Sequence, residues 1–160
     1  MIPTSDICDR FGDRVRVVEP VFRSFGGRQA FTGVMETVRV SEDNALVRQV
    51  IESPGEGRVL VVDGGGSRRC ALLGGRLAAL AATNGWAGVV VNGCVRDTAE
   101  IAAAAVGVLA LASNPRPPSK SGAGERSVPV SFAGVTFVPG HRLWADGDGI
   151  VVGGPDLQTG

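Results

Sequence analysis

The sequence predicts a single α/β domain built around a β-α-β-α-β unit and flanked on both sides by strands that pair as hairpins. Three continuous apolar runs of strand length alternate with two segments of helical periodicity, a pattern typical of parallel strands joined by helices. Connections of this kind are right-handed. Segments with strand patterning and turn residues precede and follow this centre. A length of 160 residues suits one domain with a sizeable core, so we expect a single domain over 1–160.

The segment before the centre is predicted to contain two helices. The first has Thr4 or Ser5 as its N-cap and stops at Gly12. The second has Ser41 as its N-cap, acids in its first turn and an apolar stripe at helical spacing. The predicted elements are a helix at 4–11, an extended stretch at 15–22, a turn and strand at 25–40, and a helix at 41–53.

The centre is predicted to consist of buried strands and the helices that connect them. Its strands are continuous apolar runs, and the first of them leads into three glycines. A loop precedes the first helix, and the dipeptide Asn84-Gly85 ends it. In chain order the predicted elements are a strand at 58–67, a loop and helix at 72–85, a strand at 86–93, a helix at 96–107 and a strand at 108–113.

The last part of the chain is predicted to be a loop followed by two hairpins. Residues 114–127 lack periodicity and are interpreted as the loop. The first hairpin turns at Ala133-Gly134. In the second, Asp146 and Asp148 are interpreted as turn-forming residues, because the other ligands of a calcium loop are missing. The hairpins cover 128–140 and 141–154, and the residues after them are expected to be frayed.

Overall composition excludes several classes of protein. Sixteen Lys and Arg balance sixteen Asp and Glu, which argues against nucleic-acid or anionic-membrane binding, since both normally need a basic surplus. The N-terminus is polar and acidic, and no apolar run reaches about 18 residues, so neither a signal peptide nor a membrane span is predicted. The three cysteines form no Cys-x-x-Cys pair and do not resemble a disulfide scaffold. We therefore expect a cytoplasmic protein.

Rare residue types limit the chemistry further. Lys120 is the one lysine, His141 is the one histidine, and tyrosine is absent. A Schiff-base enzyme would depend on Lys120, and a Ser-His-Asp or Cys-His enzyme would depend on His141. A zinc site built from His and Cys does not fit these counts. Catalysis by this chain would therefore rest on arginines, carboxylates and backbone amides.

The glycine run after the first central strand does not match a nucleotide-binding motif. In a G-x-G-x-x-G pattern that starts at Gly64, the third glycine would fall on Arg69. No Gly-Lys-Ser/Thr follows any glycine loop, so a P-loop is absent as well. We interpret Asp63 to Gly66 as a tight strand exit, where the backbone of a neighbouring segment approaches closely.

Two motifs lie where predicted strands give way to helices. They are the pair Gly74-Gly75 and the motif Arg96-Asp97-x-x-Glu100. Open α/β folds bind ligands at the carboxyl ends of their strands. Backbone amides after the glycines can bind a carboxylate, and the planar fork of Arg96 matches a carboxylate or enolate oxygen. Asp97 and Glu100 offer the oxygen ligands that Mg²⁺ and Mn²⁺ prefer.

The acidic pair also has a structural interpretation. With Asp97 as N-cap and Glu100 three positions later, the two side chains form a capping box for the following helix. In the same interpretation Arg96 is a solvated loop arginine. The spacing of these residues is compatible with both interpretations.

Six stretches carry a resemblance to a known family: FGGRQAFTG, EDNALVRQVI, RVLVVDGGGSRRCALLGG, GWAGVVVNGCVRD, GAGERSVPVSFAGVTFVPG and ADGDGIVV. Together they resemble the RraA-like proteins, which comprise regulators of ribonuclease E activity and the related 4-hydroxy-4-methyl-2-oxoglutarate aldolases. The segments fall in the family order from about Thr4 to Val152. The resemblance implies a β/β/α swivelling-domain-like fold with its core over 4–152, and a homotrimer with sites at subunit boundaries.

The resemblance also implies an activity and a set of site residues. The enzymatic members are divalent-metal-dependent class II pyruvate aldolases, with a secondary oxaloacetate decarboxylase activity through the same pyruvate enolate. A metal, Mg²⁺ or Mn²⁺, replaces the Schiff-base lysine. By position, the resemblance implies that the substrate is bound by Gly74, Gly75, Arg76, Leu77 and Arg96. The implied catalytic residues are Arg96 and Asp97. The implied metal ligand is Asp97, with Glu100 reaching the metal through water.

One departure from the family pattern keeps a second function open. Enzymatic relatives commonly have an Asp at the position of Gly75, and the regulatory relatives tend to lose the metal-binding acid that this chain keeps as Asp97. The alternative is a non-catalytic regulator that binds and inhibits an RNase E-type endoribonuclease. A third name, menaquinone methyltransferase, has been attached to such sequences, but the glycine run offers no methyl-donor site.

Overall fold

The structure, a computed structural model, describes residues 1–157 and confirms the mixed α/β class. Its helices are α1 Thr4–Phe11, α2 Ala45–Glu52, α3 Gly75–Thr83 and α4 Thr98–Ala103. Its strands are β1 Val15–Val17, β2 Arg23–Ser24, β3 Phe31–Arg39, β4 Val59–Asp63, β5 Ala71–Leu73, β6 Gly88–Val95, β7 Gly107–Ser113, β8 Glu125–Arg126, β9 Val130–Phe132, β10 Val135–Phe137, β11 Arg142–Asp146 and β12 Gly149–Gly153.

A mixed sheet organises the described part of the chain in the order β1-β12-β11-β3-β4-β6-β7-β2. The strands β4, β6 and β7 are parallel neighbours, with α3 and α4 as their connections, so the predicted β-α-β-α-β unit is confirmed. Strand β3 also runs parallel to β4, through α2, and pairs antiparallel with β11 on its other side. The parallel centre is therefore one strand larger than the sequence predicted.

Two short strands lie where the sequence predicted loops. Strand β5 (Ala71–Leu73) pairs with β6 just before α3, and β8 (Glu125–Arg126) pairs antiparallel with β3. Neither has the length or alternation that marks a strand in sequence, because each adds only two or three residues to the edge of an existing strand. Strand β5 matters for the site, since it fixes the position at which α3 begins.

The ends of two helices differ from the sequence predictions. Helix α1 begins at Thr4, Pro3 occupies the N-cap position, and its capping acceptor is Asp146, whose carboxylate binds both the amide and the hydroxyl of Thr4. Helix α2 begins at Ala45 rather than after Ser41, and the preceding acids lie outside it. In both helices a carboxylate outside the helix satisfies a first-turn amide, a contact that local N-cap rules do not predict.

Helix α4 is shorter than predicted and ends at Ala103. The carbonyl groups of Ala104 and Val106 accept hydrogen bonds from the amides of Gly27 and Arg28, at 3.0 and 3.3 Å. A Cβ atom on Gly27 would lie 3.0 Å from a helix carbonyl, so glycine allows this approach. The backbone after Ala103 therefore forms hydrogen bonds with residues 26–28 instead of continuing the helix.

Apolar side chains cover both faces of the sheet. Helices α2, α3 and α4 bury residues such as Val47, Ala78 and Ile101 on one face. The β9–β10 hairpin, which turns at Ala133 and Gly134 as predicted, helps to cover the other face with residues such as Phe137. Burying a Val, Ile or Phe side chain in this way stabilises the fold by roughly 1.5–3 kcal/mol.

The final described residue is packed against the fold. Leu157 is buried with Trp144 and Val151 in a third cluster. The predicted fraying is therefore wrong as far as residue 157, and the rest of that prediction lies outside the described residues. No helix within residues 1–157 is long and apolar enough to cross a membrane.

Candidate active site

The two sequence motifs meet at the start of α3. Strand β5 ends at Leu73 and pairs with the last residues of β6, so the chain after β6 lies beside the first turn of α3. The amide of Arg96 donates a 3.0 Å hydrogen bond to the carbonyl of Leu73. Gly74 is the N-cap residue of α3, in extended conformation and without a capping side chain. The glycine pair and the Arg-Asp pair are therefore adjacent in space.

Asp97 supplies the cap that Gly74 lacks. Its Oδ2 atom accepts a 3.0 Å hydrogen bond from the amide of Gly75, the first residue of α3. Asp97 has φ 59° and ψ 50°, in the left-handed region, which few residues other than Gly, Asn and Asp adopt readily. Positive backbone φ at a non-glycine residue is concentrated at functional sites. The second oxygen of this exposed carboxylate has no hydrogen-bond partner within residues 1–157.

This arrangement contradicts the capping-box interpretation. Asp97 does occupy the N-cap position of α4, but its side chain makes no hydrogen bond to an α4 amide. The carboxylate is directed to α3 instead. Glu100 is exposed and lies over Gly75 rather than over the backbone at the start of its own helix.

Both glycines are needed for the close approach of these side chains. A Cβ atom on Gly74 would lie 2.9 Å from Asp97 Oδ2 and 3.7 Å from Arg96 Nε. A Cβ atom on Gly75 would lie 2.7 Å from Glu100 Cβ and 2.8 Å from its Cδ, distances that real contacts do not reach. The side chain of Glu100 therefore occupies the space that a side chain at position 75 would need.

A cleft of about 380 Å³ opens over this meeting point. Six of the seven site residues implied by the sequence line it, and Gly75 is buried beneath Glu100. The sequence did not predict the opposite wall, which α2 and the loop after β7 provide. The lining residues are Asn44, Ala45, Arg48, Ala71, Gly74, Arg76, Leu77, Arg96, Asp97, Glu100, Pro118 and Lys120.

Asp43 holds that opposite wall in place. It is 3% exposed, and its carboxylate accepts hydrogen bonds from the amide of Ala45 at 3.0 Å and from the amide of Ser121 at 2.7 Å. The hydroxyl of Ser121 lowers the pKa of Asp43 most, burial opposes this, and the amides of Ala45, Ser121 and Gly122 lower it further. An ionised Asp43 thus ties the loop that carries Lys120 to the start of α2.

The side chains of the cleft carry an excess of positive charge. Arg48, Arg76, Arg96 and Lys120 face two carboxylates, those of Asp97 and Glu100. Arg96 is half-buried, with its stem against Gly74 and one guanidinium nitrogen 3.4 Å from the carbonyl of Pro115. First-turn amides such as that of Leu77 have no acceptor within an α-helix. The cleft therefore favours an anionic ligand.

The donor set of the cleft fits a hydrated divalent cation better than a zinc ion. Within residues 1–157 no group of three or more His, Cys, Asp or Glu side chains converges as a complete metal cage. Mg²⁺ and Mn²⁺ need only one or two carboxylates and keep several waters. Asp97 and Glu100 flank the same pair of glycines, and Asp97 has a free oxygen. Cys94 is buried, burial raises the pKa of its thiol, and it is not among the residues that line the cleft.

The glycine run after β4 is satisfied by its own neighbours. The amides of Gly64 and Gly66 both donate to the carbonyl of Asn92 at 3.1 Å, and that of Gly65 donates to the carboxylate of Asp63 at 2.9 Å. A phosphate or nucleotide would need these amides free. The loop is therefore a close strand exit, as predicted, and offers no cradle for a nucleotide.

The fold and the cleft define an α/β protein with a positively charged cleft at the carboxyl ends of its parallel strands. The family of RraA-like proteins described as Aldolase/RraA matches residues 4–152, and the chain belongs to this family. A provisionally named 4-hydroxy-4-methyl-2-oxoglutarate aldolase of Alkalilimnicola ehrlichii is 60% identical over 151 residues, 94% of each chain. One from Aromatoleum aromaticum, also provisionally named, is 55% identical over 149 residues, covering 93% of this chain and 94% of its own.

Two solved structures share this fold under different names. The RNA-processing inhibitor RraA from Thermus thermophilis superimposes with a TM-score of 0.95 at 49% identity, over 100% of this chain and 96% of its own. A structure from Geobacillus kaustophilus, described as an S-adenosylmethionine:2-dimethylmenaquinone methyltransferase, gives 0.96 at 48% identity, over 99% and 100%. The family resemblance and the fold class drawn from the sequence are therefore confirmed.

Proposed function

We propose that this chain is a divalent-metal-dependent class II pyruvate aldolase. Its substrate would be 4-hydroxy-4-methyl-2-oxoglutarate, which it cleaves to two pyruvates, and it would decarboxylate oxaloacetate as a secondary activity. The observation that carries the proposal is the convergence of Arg96, Asp97 and the start of α3 on one positively charged cleft. The names of the relatives from A. ehrlichii and A. aromaticum support the same assignment.

The reaction needs a site that stabilises an enolate. The C4 hydroxyl loses its proton, the C3–C4 bond breaks, and its electron pair moves to the pyruvyl end. One pyruvate leaves, and a proton then adds to C3 of the enolate to give the second. Oxaloacetate loses CO₂ by breaking its own C3–C4 bond, which leaves the same enolate. Stabilising the negative charge that develops is the main task of such a site.

The residues of the cleft have distinct tasks in this scheme. Arg96 binds the pyruvyl carboxylate and enolate oxygen through its planar fork. The first-turn amides of Arg76 and Leu77 receive the remaining negative charge, because the amide of Gly75 is already bound to Asp97. Asp97 would hold the divalent cation directly and Glu100 would reach it through water, and the cation would supply Lewis acidity at the pyruvyl oxygens.

We expect the absence of a side chain at position 75 to affect the rate of turnover rather than the binding of pyruvate and metal. The family commonly places an Asp there, and in this chain Glu100 fills that space. Binding of pyruvate and metal depends on Arg96 and Asp97, which are both present. We therefore expect substrate binding of ordinary strength and slower turnover than in relatives that have the Asp. We also propose a homotrimer in the cytoplasm, as the family resemblance implies.

The test of the aldolase proposal is metal-dependent release of pyruvate. Pyruvate formed from each substrate is followed with lactate dehydrogenase in the presence of Mg²⁺ or Mn²⁺, and again after EDTA. We expect activity that EDTA removes and that Arg96→Ala and Asp97→Ala each lower at least 100-fold. The control is Arg16→Ala, on β1 at the far edge of the sheet. Activity that is absent, or that survives both substitutions, would overturn the proposal.

A second candidate function is inhibition of an RNase E-type ribonuclease. It is supported by the 49% identity to the RNA-processing inhibitor RraA from T. thermophilis and by the glycine at position 75. The balanced net charge favours contact with the ribonuclease itself rather than with RNA. Purified protein at micromolar concentration would slow RNA cleavage if this function is present. The candidate is rejected if the protein neither binds the ribonuclease nor slows it.

A further inference from the structure

The guanidinium of Arg96 is held by a backbone carbonyl of the loop after β7. Its Nη1 atom lies 3.4 Å from the carbonyl oxygen of Pro115. A Cβ atom on Gly74 would lie 3.6 Å from Cγ and 3.7 Å from Nε of Arg96, so the Nε side of the group lies against the start of α3. Guanidinium groups bind carboxylates through two parallel N–H bonds, such as those of Nε and Nη2. The contact with Pro115 therefore determines the direction in which this edge points.

The peptide unit that supplies this carbonyl is also held at its amide, by Asn114. The Oδ1 atom of Asn114 accepts a 2.9 Å hydrogen bond from the amide of Arg116. The carbonyl of Pro115 and the amide of Arg116 belong to one planar peptide unit, so a hydrogen bond to either group orients both. The proline ring fixes φ at position 115, and the orientation of the unit then depends mainly on ψ there. The side chain of Asn114 restrains that remaining rotation.

Asn114 is itself anchored to the two strands that carry the site. Its Nδ2 atom donates a 2.6 Å hydrogen bond to the carbonyl of Arg68, which precedes β5, and its backbone amide donates at 2.9 Å to the carbonyl of Val95, at the end of β6. The carbonyl of Arg116 accepts a 2.9 Å hydrogen bond from the amide of Ala71, the first residue of β5. The peptide unit that holds the guanidinium is therefore tied to both strands.

We propose that Asn114 is a positioning residue for Arg96: it holds the peptide unit of Pro115 and Arg116, whose carbonyl directs the guanidinium toward the pyruvyl end of the substrate. The inference rests on the proposed aldolase function and adds a residue that orients its main cationic group. Asn114 is not among the residues that line the cleft, so it acts on the substrate through Arg96. An arginine that is already held loses less conformational freedom when it binds a ligand.

Kinetics of single and double variants test this role. Asn114→Ala removes both side-chain hydrogen bonds of Asn114 and is expected to lower kcat/KM for 4-hydroxy-4-methyl-2-oxoglutarate about 10–100-fold. In an Arg96→Ala background the same change should lower kcat/KM less than about twofold, because the group that Asn114 positions is gone. General disturbance of the fold would lower activity in both backgrounds. Equal losses in the two backgrounds, or no loss in either, would overturn the inference.

Two further variants separate the hold on this peptide unit from the mere loss of an asparagine. Asn114→Ser keeps a hydroxyl that accepts the same amide more weakly, and its kcat/KM should fall between those of Asn114→Ala and wild type. Asn84→Ala is the matched control, because Asn84 also donates from Nδ2 to a backbone carbonyl, that of Ile51 at 2.8 Å. It should keep kcat/KM within about twofold of wild type. A loss in Asn84→Ala as large as that in Asn114→Ala would contradict the inference.

The inference and the proposed function can fail separately. If wild-type protein releases no pyruvate, the aldolase proposal fails, and NMR of the Nε–H group of Arg96 still tests the role of Asn114. The signal is assigned by its loss in Arg96→Lys. Its heteronuclear NOE, which reports fast motion of the side chain, should fall in Asn114→Ala and stay unchanged in Asn84→Ala. An NOE that is the same in Asn114→Ala and wild type would show that Asn114 does not hold the guanidinium, and it would overturn the inference.

Discussion

The Oδ2 atom of Asp97 lies 3.0 Å from the amide nitrogen of Gly75, so a residue placed just before α4 caps the start of α3. The residue that precedes α4 thereby ties the start of α4 to the first amide of α3. The contact also keeps the second carboxylate oxygen of Asp97 available for a ligand. The side chain of Asp97 therefore has a structural role, the capping of α3, and a proposed chemical role, the binding of a metal ion. Substitutions can separate these two roles.

Substitution of Asp97 should separate capping from metal binding. Asp97→Asn keeps an oxygen acceptor for the Gly75 amide and tolerates the left-handed backbone, whereas Asp97→Ala does neither. We expect Asp97→Ala to lower the free energy of unfolding by about 2 kcal/mol, from the lost cap and the strained backbone. Asp97→Asn should change it by less than about 0.5 kcal/mol, yet abolish binding of Mn²⁺.

Urea unfolding and calorimetric Mn²⁺ titration of both variants test this prediction. An Asn variant as unstable as the Ala variant would show that the hydrogen bond to Gly75 contributes nothing. An Asn variant that binds Mn²⁺ as tightly as wild type would show that the metal does not depend on the charge of Asp97.

Gly75 and Glu100 should be energetically coupled. A Cβ atom at position 75 would lie 2.7 Å from Glu100 Cβ and 2.8 Å from its Cδ, so Gly75→Ala forces the glutamate away at a cost of roughly 1–3 kcal/mol. Glu100→Ala removes most of the obstructing side chain. The double variant should therefore recover at least about 0.5 kcal/mol relative to the sum of the single changes.

The measurement is a double-mutant cycle by urea unfolding. Gly147→Ala is the control, because its added Cβ meets no atom within 4 Å. Additive effects of Gly75→Ala and Glu100→Ala would contradict the contact between these two positions.

Local pattern in the sequence was sufficient to predict the central elements and the adjacency of the two motifs. Apolar runs identified β4, β6 and β7, and the carboxyl ends of parallel strands necessarily share one edge. The placement of β3 beside β4 was not predictable in this way, since strand register depends on contacts between distant segments.

The wall of the cleft formed by α2 and the loop after β7 was not predicted for the same reason: it depends on contacts between distant segments. Lys120 lies in a loop without periodicity, and long-range hydrogen bonds bring that loop to α2: those of the Asp43 carboxylate, and backbone hydrogen bonds of Ser119 with Glu42 and Asn44. The left-handed backbone of Asp97 was equally hidden, because Asp is common both in that conformation and as an ordinary N-cap. Glu42 and Asp43, the acidic residues before α2, are the one signal in the sequence that could have indicated an anchor for the loop that carries Lys120.

The first helix should depend on Asp146, at the opposite end of the chain. Asp146 accepts hydrogen bonds from the amide of Thr4 at 2.8 Å and from its hydroxyl at 2.6 Å. Asp146→Ala should lower the free energy of unfolding by about 2 kcal/mol and speed amide exchange across α1. Thr4→Ser keeps both donors and should resemble wild type. Hydrogen exchange that is unchanged in Asp146→Ala would contradict this tether.

The wall that carries Lys120 should depend on ionised Asp43. The hydroxyl of Ser121 and nearby amides hold the pKa of Asp43 below its ordinary value of 3.8, although burial opposes them. A lowered folded-state pKa stabilises the protein above the ordinary value, and this contribution is lost as the pH falls from 3.8 through the lower folded-state pKa. Asp43→Asn should therefore be less stable than wild type at pH 7, and the difference should shrink below pH 3.8.

Urea unfolding of both proteins between pH 7 and pH 3 measures this difference, with Asp148→Asn on the exposed turn as control. Loss of the anchor also frees the loop around Ser121, because its backbone amide loses a charged acceptor 2.7 Å away. Limited proteolysis at neutral pH should then cut Asp43→Asn in this loop before wild type is cut. A stability difference that persists unchanged at the lowest pH would mean that the charge of Asp43 does not hold the wall, and that its packing alone does.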